Sequence, residues 1–208
     1  MKGSKEYNAR RNDILDAAGR LFGRKGYAKC TVNDILDAVG IAKGTFYYYF
    51  KSKEEVLDAI IDRVTETAAQ RAREAAANPA FSPAMKILNV ILSMRVESEE
   101  DHELLEELHK PENALMHQKS LTSMVTIVTP ILAKVVEEGI DQGLFKSDFP
   151  VQYMQIFLTS SIVLLDEGIF QAKPEQQQMT LRALVALLEK MLGVREETFW
   201  NMAKQYWG

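Results

Sequence analysis

Residues 31–50 read Thr-Val-Asn-Asp-Ile-Leu-Asp-Ala-Val-Gly-Ile-Ala-Lys-Gly-Thr-Phe-Tyr-Tyr-Tyr-Phe. In the first half, apolar side chains recur at i, i+3, i+4 and i+7, the spacing of one helix face: Val32, Ile35, Leu36 and Val39. Thr31 precedes this stripe and Asp34 follows three residues later, a pattern typical of a capping box. Gly40 stands where a left-handed residue often ends a helix. The sequence therefore predicts a short amphipathic helix with both ends marked.

A second, shorter helix is predicted after the turn at residues 40–42. At about 100° per residue, its side chains divide into two faces. The face that can be buried holds Phe46, Tyr49 and Phe50. The opposite face holds Lys43, Gly44, Tyr47 and Tyr48, with Thr45 at its edge. A cation, a glycine that permits close backbone approach, and phenols suit the phosphates and base edges of a nucleic-acid groove. Two helices joined by a tight glycine turn predict a helix-turn-helix.

The run from Gly40 to Glu54 resembles the DNA-binding signature of the tetracycline-repressor (TetR) family, and the resemblance extends from about Arg10 to Ile61. The chain shows no strand alternation, so its periodicity predicts an all-α fold of about nine or ten helices. The resemblance implies that these helices form two domains. An N-terminal three-helix DNA-binding domain with the helix-turn-helix would be followed by a larger C-terminal helical domain for ligand binding and dimerisation. One position departs from the pattern. Ala42 stands where the family often has a capping serine, and losing such a cap costs about 1 kcal/mol.

The resemblance also assigns DNA-contacting roles to individual residues. On the recognition helix these are Lys43, Gly44, Thr45, Tyr47 and Tyr48. It further implies a phosphate contact for Lys51, a base-edge contact for Asn33, and both a phosphate contact and the helix cap for Thr31. Core packing is the alternative for the aromatic residues, and we adopt it only for Phe46, Tyr49 and Phe50.

The charge of the chain is unevenly distributed. The net charge of −4 by itself argues against a nucleic-acid ligand. However, residues 1–55 carry 11 Lys and Arg against 7 Asp and Glu, whereas residues 56–208 carry 14 against 22. This asymmetry predicts a basic module that faces DNA, attached to an acidic one that phosphates repel.

The sequence predicts a cytoplasmic protein without a membrane partner. Residues 1–11 are polar and charged, unlike a signal peptide, and no run of about 18 uninterrupted apolar residues appears. The single cysteine, Cys30, excludes an internal disulfide and fits a reducing compartment. A small buried residue is the favoured interpretation of Cys30 over a redox sensor.

We divide the chain into a DNA-binding domain at residues 1–52 and an effector-binding and dimerisation domain at residues 53–208. Residues 1–7 lack periodicity and are predicted to be a flexible arm. No segment shows the alternation of a strand. Helices are predicted at about 8–25, 53–77, 83–97, 99–110, 112–143 with a kink or split at Pro130, 151–171 and 174–192, followed by a short helical tail.

In the family that the sequence resembles, the acidic helical domain holds a small molecule that shifts the spacing of two DNA-reading heads. The motif carries over no ligand residues, so candidates are chosen as apolar lining with a few polar groups: Met85, Leu88, Leu108, Met116, Met124, Tyr153, Phe157 and Ser161. Plain core packing is the favoured interpretation of most of these residues, and we expect only two or three to touch a ligand. The resemblance assigns helices 151–171 and 174–192 to a four-helix dimer interface, although packing within one subunit explains part of their apolar content.

Other chemistry has little support in the sequence. His102, Glu106 and His109 share a helix face at i, i+4 and i+7, but the Glu-rich surroundings favour a solvated face over a metal site. Glycine loops for phosphates and the common hydrolase and metalloprotease motifs do not occur. We therefore predict no metal, no cofactor and no enzymatic activity.

The resemblance to the TetR family, together with these patterns, implies a homodimeric one-component transcriptional regulator. Most simply it is a repressor that a small apolar or amphipathic effector releases from a palindromic double-stranded operator. A two-turn helix reads few bases, so two copies on a two-fold axis are expected. Two alternatives stay open. One is a DNA-binding structural or adaptor protein of the same fold with a protein partner and no effector, and the other is a helical enzyme that kept the fold.

Overall fold

The computed structural model describes residues 2–94, 106 and 108–207, and the side chains of residues 5–94, 106 and 108–204. Nine α-helices and one 3-10 turn (Pro111–Asn113) occur in this part of the chain. The helices are α1 (Lys2–Lys25), α2 (Val32–Val39), α3 (Lys43–Tyr49), α4 (Lys53–Ala77), α5 (Pro83–Leu92), α6 (Ala114–Asp141), α7 (Pro150–Leu164), α8 (Pro174–Leu192) and α9 (Thr198–Trp207). The described residues contain no strand, so the predicted all-α fold is confirmed.

The chain divides into two compact units. The N-terminal unit comprises Met1–Val64 and Glu97–Ser120, and the C-terminal unit comprises Thr65–Val96 and Leu121–Gly208. The sequence predicts that the DNA-binding domain ends at residue 52 and that the second domain begins at residue 53. This boundary stays a prediction.

The N-terminal unit is built on one apolar core. The predicted stripe of α1 is buried there through Ile14, Ala18 and Phe22, and side chains from the next three helices and from the start of α6 complete it. Those contributed by α2 to α6 include Ile35, Phe46, Phe50, Val56, Leu57 and Met116. Because α2 and α3 each place at least one fully buried side chain in this core, their outer faces are fixed in space.

Helix α1 begins at Lys2, so the prediction of a flexible arm at residues 1–7 is wrong for the described part of that stretch. Tyr7 stands seven residues before Ile14 and thus on the same helix face. Its ring lies 4.8 Å from the ring of Tyr49. This tertiary contact supports helical turns that local periodicity did not reveal.

The C-terminal unit has its own core, formed by the end of α4 and by α5 to α9. The largest fully buried side chains in it are Ile87, Leu132, Met154, Leu158 and Leu188. Lys86 of α5 is buried and its ammonium lies 2.7 Å and 2.8 Å from the two carboxylate oxygens of Glu138 on α6. The pairing explains why a lysine is accepted inside this unit.

Two of the later helices differ from their predicted form. Helix α7 ends at Leu164 and not at Gln171, because Asp166 accepts the Ile169 N–H with its carboxylate at 3.0 Å and forms a turn. Helix α6 continues through Pro130, so the predicted split at this residue is wrong. Proline has no N–H to donate to the backbone carbonyl four residues earlier, but Pro130 is exposed, so water can bind that carbonyl. The predicted helix at 99–110 lies mostly outside the described residues.

The helical tail was predicted and is confirmed as α9. The buried carboxylate of Glu189, on α8, fixes its start. It accepts the backbone N–H of Glu197 at 2.9 Å and that of Phe199 at 2.8 Å. A buried acidic side chain thus satisfies the free donors of a helix N-terminus.

By length and composition, Pro111–Asp141 could cross a membrane. Core helices of water-soluble proteins pass the same test, so one such helix is weak evidence. Apolar side chains of this stretch fill the core of the C-terminal unit: Val128, Leu132, Val135 and Val136.

Candidate nucleic-acid interface

The predicted capping box of α2 is present. The Thr31 hydroxyl accepts the Asp34 N–H at 3.2 Å, while the Asp34 carboxylate accepts the Thr31 N–H at 2.8 Å. The Thr31 hydroxyl also donates to this carboxylate at 2.8 Å. The side chain of Thr31 is therefore already committed to the cap, and it could donate to a phosphate only after giving up Asp34.

A salt bridge strengthens this cap. The ammonium of Lys25, in the last turn of α1, lies 2.6 Å from the Asp34 carboxylate. The hydrogen bond from Lys25 and then those from Thr31 hold the pKa of Asp34 well below its usual range, and the same bond raises the pKa of Lys25. The first helix of the motif is thus tied to α1 by charge as well as by its apolar stripe.

The turn between α2 and α3 depends on Gly40. Its φ of 72° is left-handed, and its N–H donates to the Leu36 carbonyl at 2.8 Å. This is the glycine end that the sequence predicts. Helix α3 then starts after Ala42, which has the extended backbone of an N-cap residue but no capping side chain. The departure from the family pattern at Ala42 therefore leaves the start of α3 without a side-chain cap.

Helix α3 has the two faces that its sequence predicts. Phe46 and Phe50 are buried, and Tyr49 is half-buried against the core. On the other side, 48% of Tyr47 and 71% of Tyr48 are exposed. The remaining members of the predicted DNA-facing set are exposed as well: Lys43, Gly44 and Thr45. Two large phenols held out to solvent by buried neighbours form a surface that can contact a partner.

Gly44 is not required by the fold of the protein itself. A Cβ atom built at this position would meet nothing within 4 Å, and its backbone is helical. Glycine inside a helix costs roughly 0.5–1 kcal/mol relative to alanine. Its presence on the exposed face of α3 is consistent with close approach of another backbone at this point.

Lys51 and Lys53 have different environments although they are two residues apart. The Lys53 ammonium donates to the carbonyls of Tyr27 and Cys30, both at 2.7 Å, and lies 4.3 Å from the centre of the Tyr27 ring. The Lys51 side chain is exposed and has no hydrogen bond to the residues that the structure describes, whereas its backbone N–H donates to the Glu55 carboxylate at 2.6 Å. Lys53 is therefore a structural residue, whereas the ammonium of Lys51 points to solvent.

Two further residues near the start of α2 are described. Asn33, in the first turn of the helix and part of the predicted site, is exposed. Cys30, three residues earlier in the sequence, is buried, and burial raises the pKa of its thiol. A protonated, inaccessible thiol is a poor redox sensor, which supports the structural interpretation of Cys30.

Two family models match this chain. The model described as bacterial regulatory proteins, tetR family, matches residues 14–60, and the one described as tetracyclin repressor-like, C-terminal domain, matches residues 96–187. The first of these ranges contains the whole helix-turn-helix. The chain belongs to the TetR family of transcriptional regulators. This family is defined by DNA binding and regulation and not by a catalytic activity.

Individual TetR-family proteins show the same relationship. The HTH-type transcriptional repressor KstR2 of Rhodococcus jostii is 29% identical over 155 residues, which is 73% of this chain and 75% of that protein. The structure of SmeT, the repressor of the Stenotrophomonas maltophilia multidrug efflux pump SmeDEF, superposes with a TM-score of 0.61 at 19% identity and covers 89% of this chain and 91% of its own. RolR in complex with its ligand resorcinol gives 0.61 at 16% identity, with coverages of 97% and 96%. The two structures show the shared TetR fold.

The eight residues predicted to bind the effector are divided between the two units. Leu108 and Met116 pack in the N-terminal unit. Met124, Tyr153 and Phe157 belong to the core of the C-terminal unit. Leu88 is buried, Met85 is half-buried, and the half-buried Ser161 has a hydroxyl with no hydrogen-bond partner in the described part of the chain. Their binding role stays a prediction.

The C-terminal unit contains a half-open groove of about 420 Å³ that none of these eight residues lines. Its walls come from the end of α7, the start of α8 and from α9: Leu165, Glu167, Pro174, Gln177, Gln178, Leu181, Trp200 and Lys204. Helical periodicity cannot reveal such a groove, because it forms where three helix ends converge.

Sequence reasoning also missed a distant part of the DNA-binding unit. Asn113, which is buried in the 3-10 turn, accepts the Tyr27 N–H with its side-chain oxygen at 3.1 Å. The Lys119 ammonium lies 2.9 Å from Glu54 and 2.6 Å from Asp58 on α4. These contacts join residues 61 to 86 positions apart, and no local pattern signals them. The residues that flank the helix-turn-helix of this TetR-family chain, before α2 and on α4, are thus bonded to a segment outside the matched N-terminal region.

Proposed function

We propose that this TetR-family regulator is a cytoplasmic homodimeric repressor that binds a palindromic operator through α3 and the first turn of α2. The observation that carries the proposal is that α3 has one buried face and one exposed face. Phe46 and Phe50 anchor it, while Lys43, Tyr47 and Tyr48 are held outward. A rigid helix that presents a cation and two phenols matches what a major groove accepts.

Six of the eight predicted contact residues have a proposed role that is consistent with their exposure. The ammonium groups of Lys43 and Lys51 would neutralise phosphates, and Gly44 would allow the sugar-phosphate backbone to come close. Tyr47, Tyr48 and Asn33 would meet base edges or phosphates. The excess of basic residues within positions 1–55 adds attraction that does not depend on sequence.

Exposed apolar side chains on α7 and α8 support the proposed dimer. These two helices pack against each other, and they leave large side chains in solvent: Val151, Ile156, Leu164, Met179 and Leu187. An exposed apolar surface of this kind is typical of a subunit interface. A two-fold axis through it would give two reading heads, whose half-sites lie about one helical turn of DNA apart.

The C-terminal unit is proposed to bind a small apolar or amphipathic effector. The groove lined by Leu165, Leu181 and Trp200 has a volume within the usual range of ligand sites, and the eight residues named above are the second candidate. Resorcinol, the ligand of RolR, shows that a protein of this fold accepts a small aromatic molecule.

The central test is selection of DNA from a random duplex library by the full-length protein. We expect enrichment of one inverted repeat, a footprint over both half-sites and a dimer by sedimentation. In a thermal-shift screen, an effector should raise the melting temperature and lower the affinity for the selected duplex, because the two bindings are linked. Failure to enrich any sequence, or a monomer on the selected duplex, would refute the proposal.

A further inference from the structure

The core-facing side of α1 continues beyond the core. Ile14 and Ala18 are buried, and Tyr7 and Arg11 precede Ile14 by seven and three residues, which places them on the same face. The Arg11 guanidinium lies 5.1 Å from the centre of the Phe50 ring. The first turns of α1 therefore lie along the C-terminal half of α3, outside the segment that forms the helix-turn-helix.

Three tyrosines meet at this point, and we call Tyr7, Tyr48 and Tyr49 the tyrosine cluster. The Tyr7 ring centre is 4.8 Å from that of Tyr49 and 5.8 Å from that of Tyr48. Tyr48 and Tyr49 are 5.0 Å apart with ring planes at 87°. Tyr7 and Tyr48 meet at 77°, so both contacts of Tyr48 have the edge-to-face geometry that aromatic rings favour.

Tyr48 is 71% exposed and still has two ring neighbours. An exposed side chain on a short helix normally samples several rotamers, and ordering it on binding reduces affinity. Contacts with Tyr7 and Tyr49 restrict this freedom before DNA arrives. Tyr49 is a neighbour in sequence and is always present on α3, whereas Tyr7 comes from a different helix.

We propose that Tyr7 is a positioning residue for sequence-specific DNA recognition, because its ring holds the exposed Tyr48 ring of α3 in one orientation. The inference rests on the proposed function, in which Tyr48 contacts the operator. Tyr7 itself lies before the region that the N-terminal family model matches. Sequence preference is thereby set in part by a residue outside the helix-turn-helix.

The test measures affinity for two probes: the duplex that the wild-type protein enriches from a random library, and a scrambled duplex of the same composition. Tyr7→Ala should weaken binding of the selected duplex by about 3–10-fold, the usual size of an aromatic pair. The scrambled duplex should be bound as before, since non-specific binding depends on phosphate charge and Tyr7 has none. Tyr7→Phe should behave as wild type, because the ring and not the hydroxyl makes the contacts.

A double-mutant cycle separates positioning from general stabilisation. In a Tyr48→Ala background, Tyr7→Ala should cause no further reduction in affinity, because its effect passes through Tyr48. Tyr47→Ala is the matched control. Tyr47 is also exposed, but its ring contact is with Phe46 at 5.4 Å, so Tyr7→Ala should retain its full effect in that background.

The outcomes distinguish the inference from the function on which it rests. If wild-type protein enriches no duplex, the proposed function fails. If Tyr48→Ala weakens the selected duplex but Tyr7→Ala does not, only the inference fails. An equal reduction of affinity for both duplexes, an effect of Tyr7→Ala that persists with Tyr48→Ala, or a Tyr48→Ala variant that binds normally would each overturn the role assigned to Tyr7.

Discussion

Helices α2 and α3 are adjacent in the chain and differ in length by one residue, but they are held in place by different means. Helix α2 is capped by Thr31 and Asp34 at its start and by Gly40 at its end. Helix α3 has no side-chain cap and depends on Phe46 and Phe50 in the core. The two ends of α2 are thus capped by groups of the protein, whereas the start of α3 has no side-chain cap within the described residues.

Removing the core anchor of α3 should have the largest effect. Phe46→Ala deletes a fully buried ring, and such changes lower the free energy of unfolding by about 3–5 kcal/mol. Urea unfolding followed by circular dichroism, with hydrogen exchange of the α3 amides, measures it. Tyr47→Ala removes a neighbouring exposed ring and should change stability by less than about 1 kcal/mol while it weakens operator binding. Equal destabilisation by both variants would contradict the two-faced description of α3.

Two lysines that follow α3 also differ in whether their ammonium groups are bonded within the protein. The ammonium of Lys53 is bonded, whereas that of Lys51 is exposed. Lys53→Met keeps the aliphatic stem but removes a charged donor from two carbonyls, and we expect the free energy of unfolding to fall by about 2–3 kcal/mol. Lys51→Met should leave stability unchanged and flatten the dependence of log K on log salt by about 0.9 for each phosphate that is no longer neutralised. If Lys53→Met unfolds no more easily than Lys51→Met, the hydrogen bonds of Lys53 to the two carbonyls do not stabilise the folded protein.

The features of this motif that the sequence predicts are those with local causes. The capping box, Gly40 and the apolar stripe of α2 lie within ten residues, and the faces of α3 follow from helix geometry alone. The family resemblance then identified the DNA-binding class. Fold class and the exposed set on α3 were therefore correctly predicted from sequence.

The features that were missed depend on contacts between distant residues. Residues 2–7 show no helical periodicity in the sequence. Their helical structure is explained by the packing of the Tyr7 ring against α3. The resemblance gives Lys51 a role but none to Lys53, whose structural role follows only from its hydrogen bonds to two carbonyls of the α1–α2 connection. The hydrogen bond from Tyr27 to Asn113 spans 86 residues. The effector-binding residues stay a prediction for the same reason, because a groove is formed by the packing of several helices and has no local sequence pattern.

Acid should weaken α2 selectively, because its cap depends on a charged group. The bonds from Lys25 and Thr31 lower the pKa of Asp34 in the folded state. A lowered pKa contributes stability that is complete above the unfolded value, about 3.9, and is lost as pH falls below it. Between about pH 5 and pH 2, stability should therefore fall more steeply in the wild type than in Asp34→Asn.

The control for the acid experiment is Asp37→Asn, which makes the same charge change on the exposed side of α2. Because Asp37 lies outside the capping box, this variant should keep the hydrogen-exchange protection of the α2 amides, which Asp34→Asn should lower. If Asp34→Asn and wild type share one slope, the Lys25–Asp34 bridge does not stabilise the folded protein.

Substitutions at the two N-cap positions should change the stability of α2 and of α3 in opposite directions. Thr31→Ala should destabilise α2 by about 1 kcal/mol, and Ala42→Ser should stabilise α3 by a similar or smaller amount. The backbone of Ala42, with φ −74° and ψ 152°, already has the conformation of a capping residue, so the hydroxyl needs no rearrangement. Hydrogen exchange of the α2 and α3 amides reports each helix separately. Unchanged protection of α3 in the Ala42→Ser variant would show that its core anchors alone fix this helix.

The smallest change in stability should come from Gly44→Ala, and it should oppose the change in function. An alanine methyl at this position would lie more than 4 Å from any other described part of the chain, so we expect a gain of about 0.5–1 kcal/mol from the helix preference of alanine. The selected duplex should nevertheless bind more weakly, because the methyl would stand where the DNA backbone approaches. Gly19→Ala is the matched control: its Cβ would lie 4.0 Å from Ile60, an ordinary contact inside the N-terminal unit, so it should gain stability without weakening DNA binding. If both variants bind DNA as wild type does, glycine at position 44 serves neither the fold nor the operator, and α3 does not approach DNA through this part of its surface.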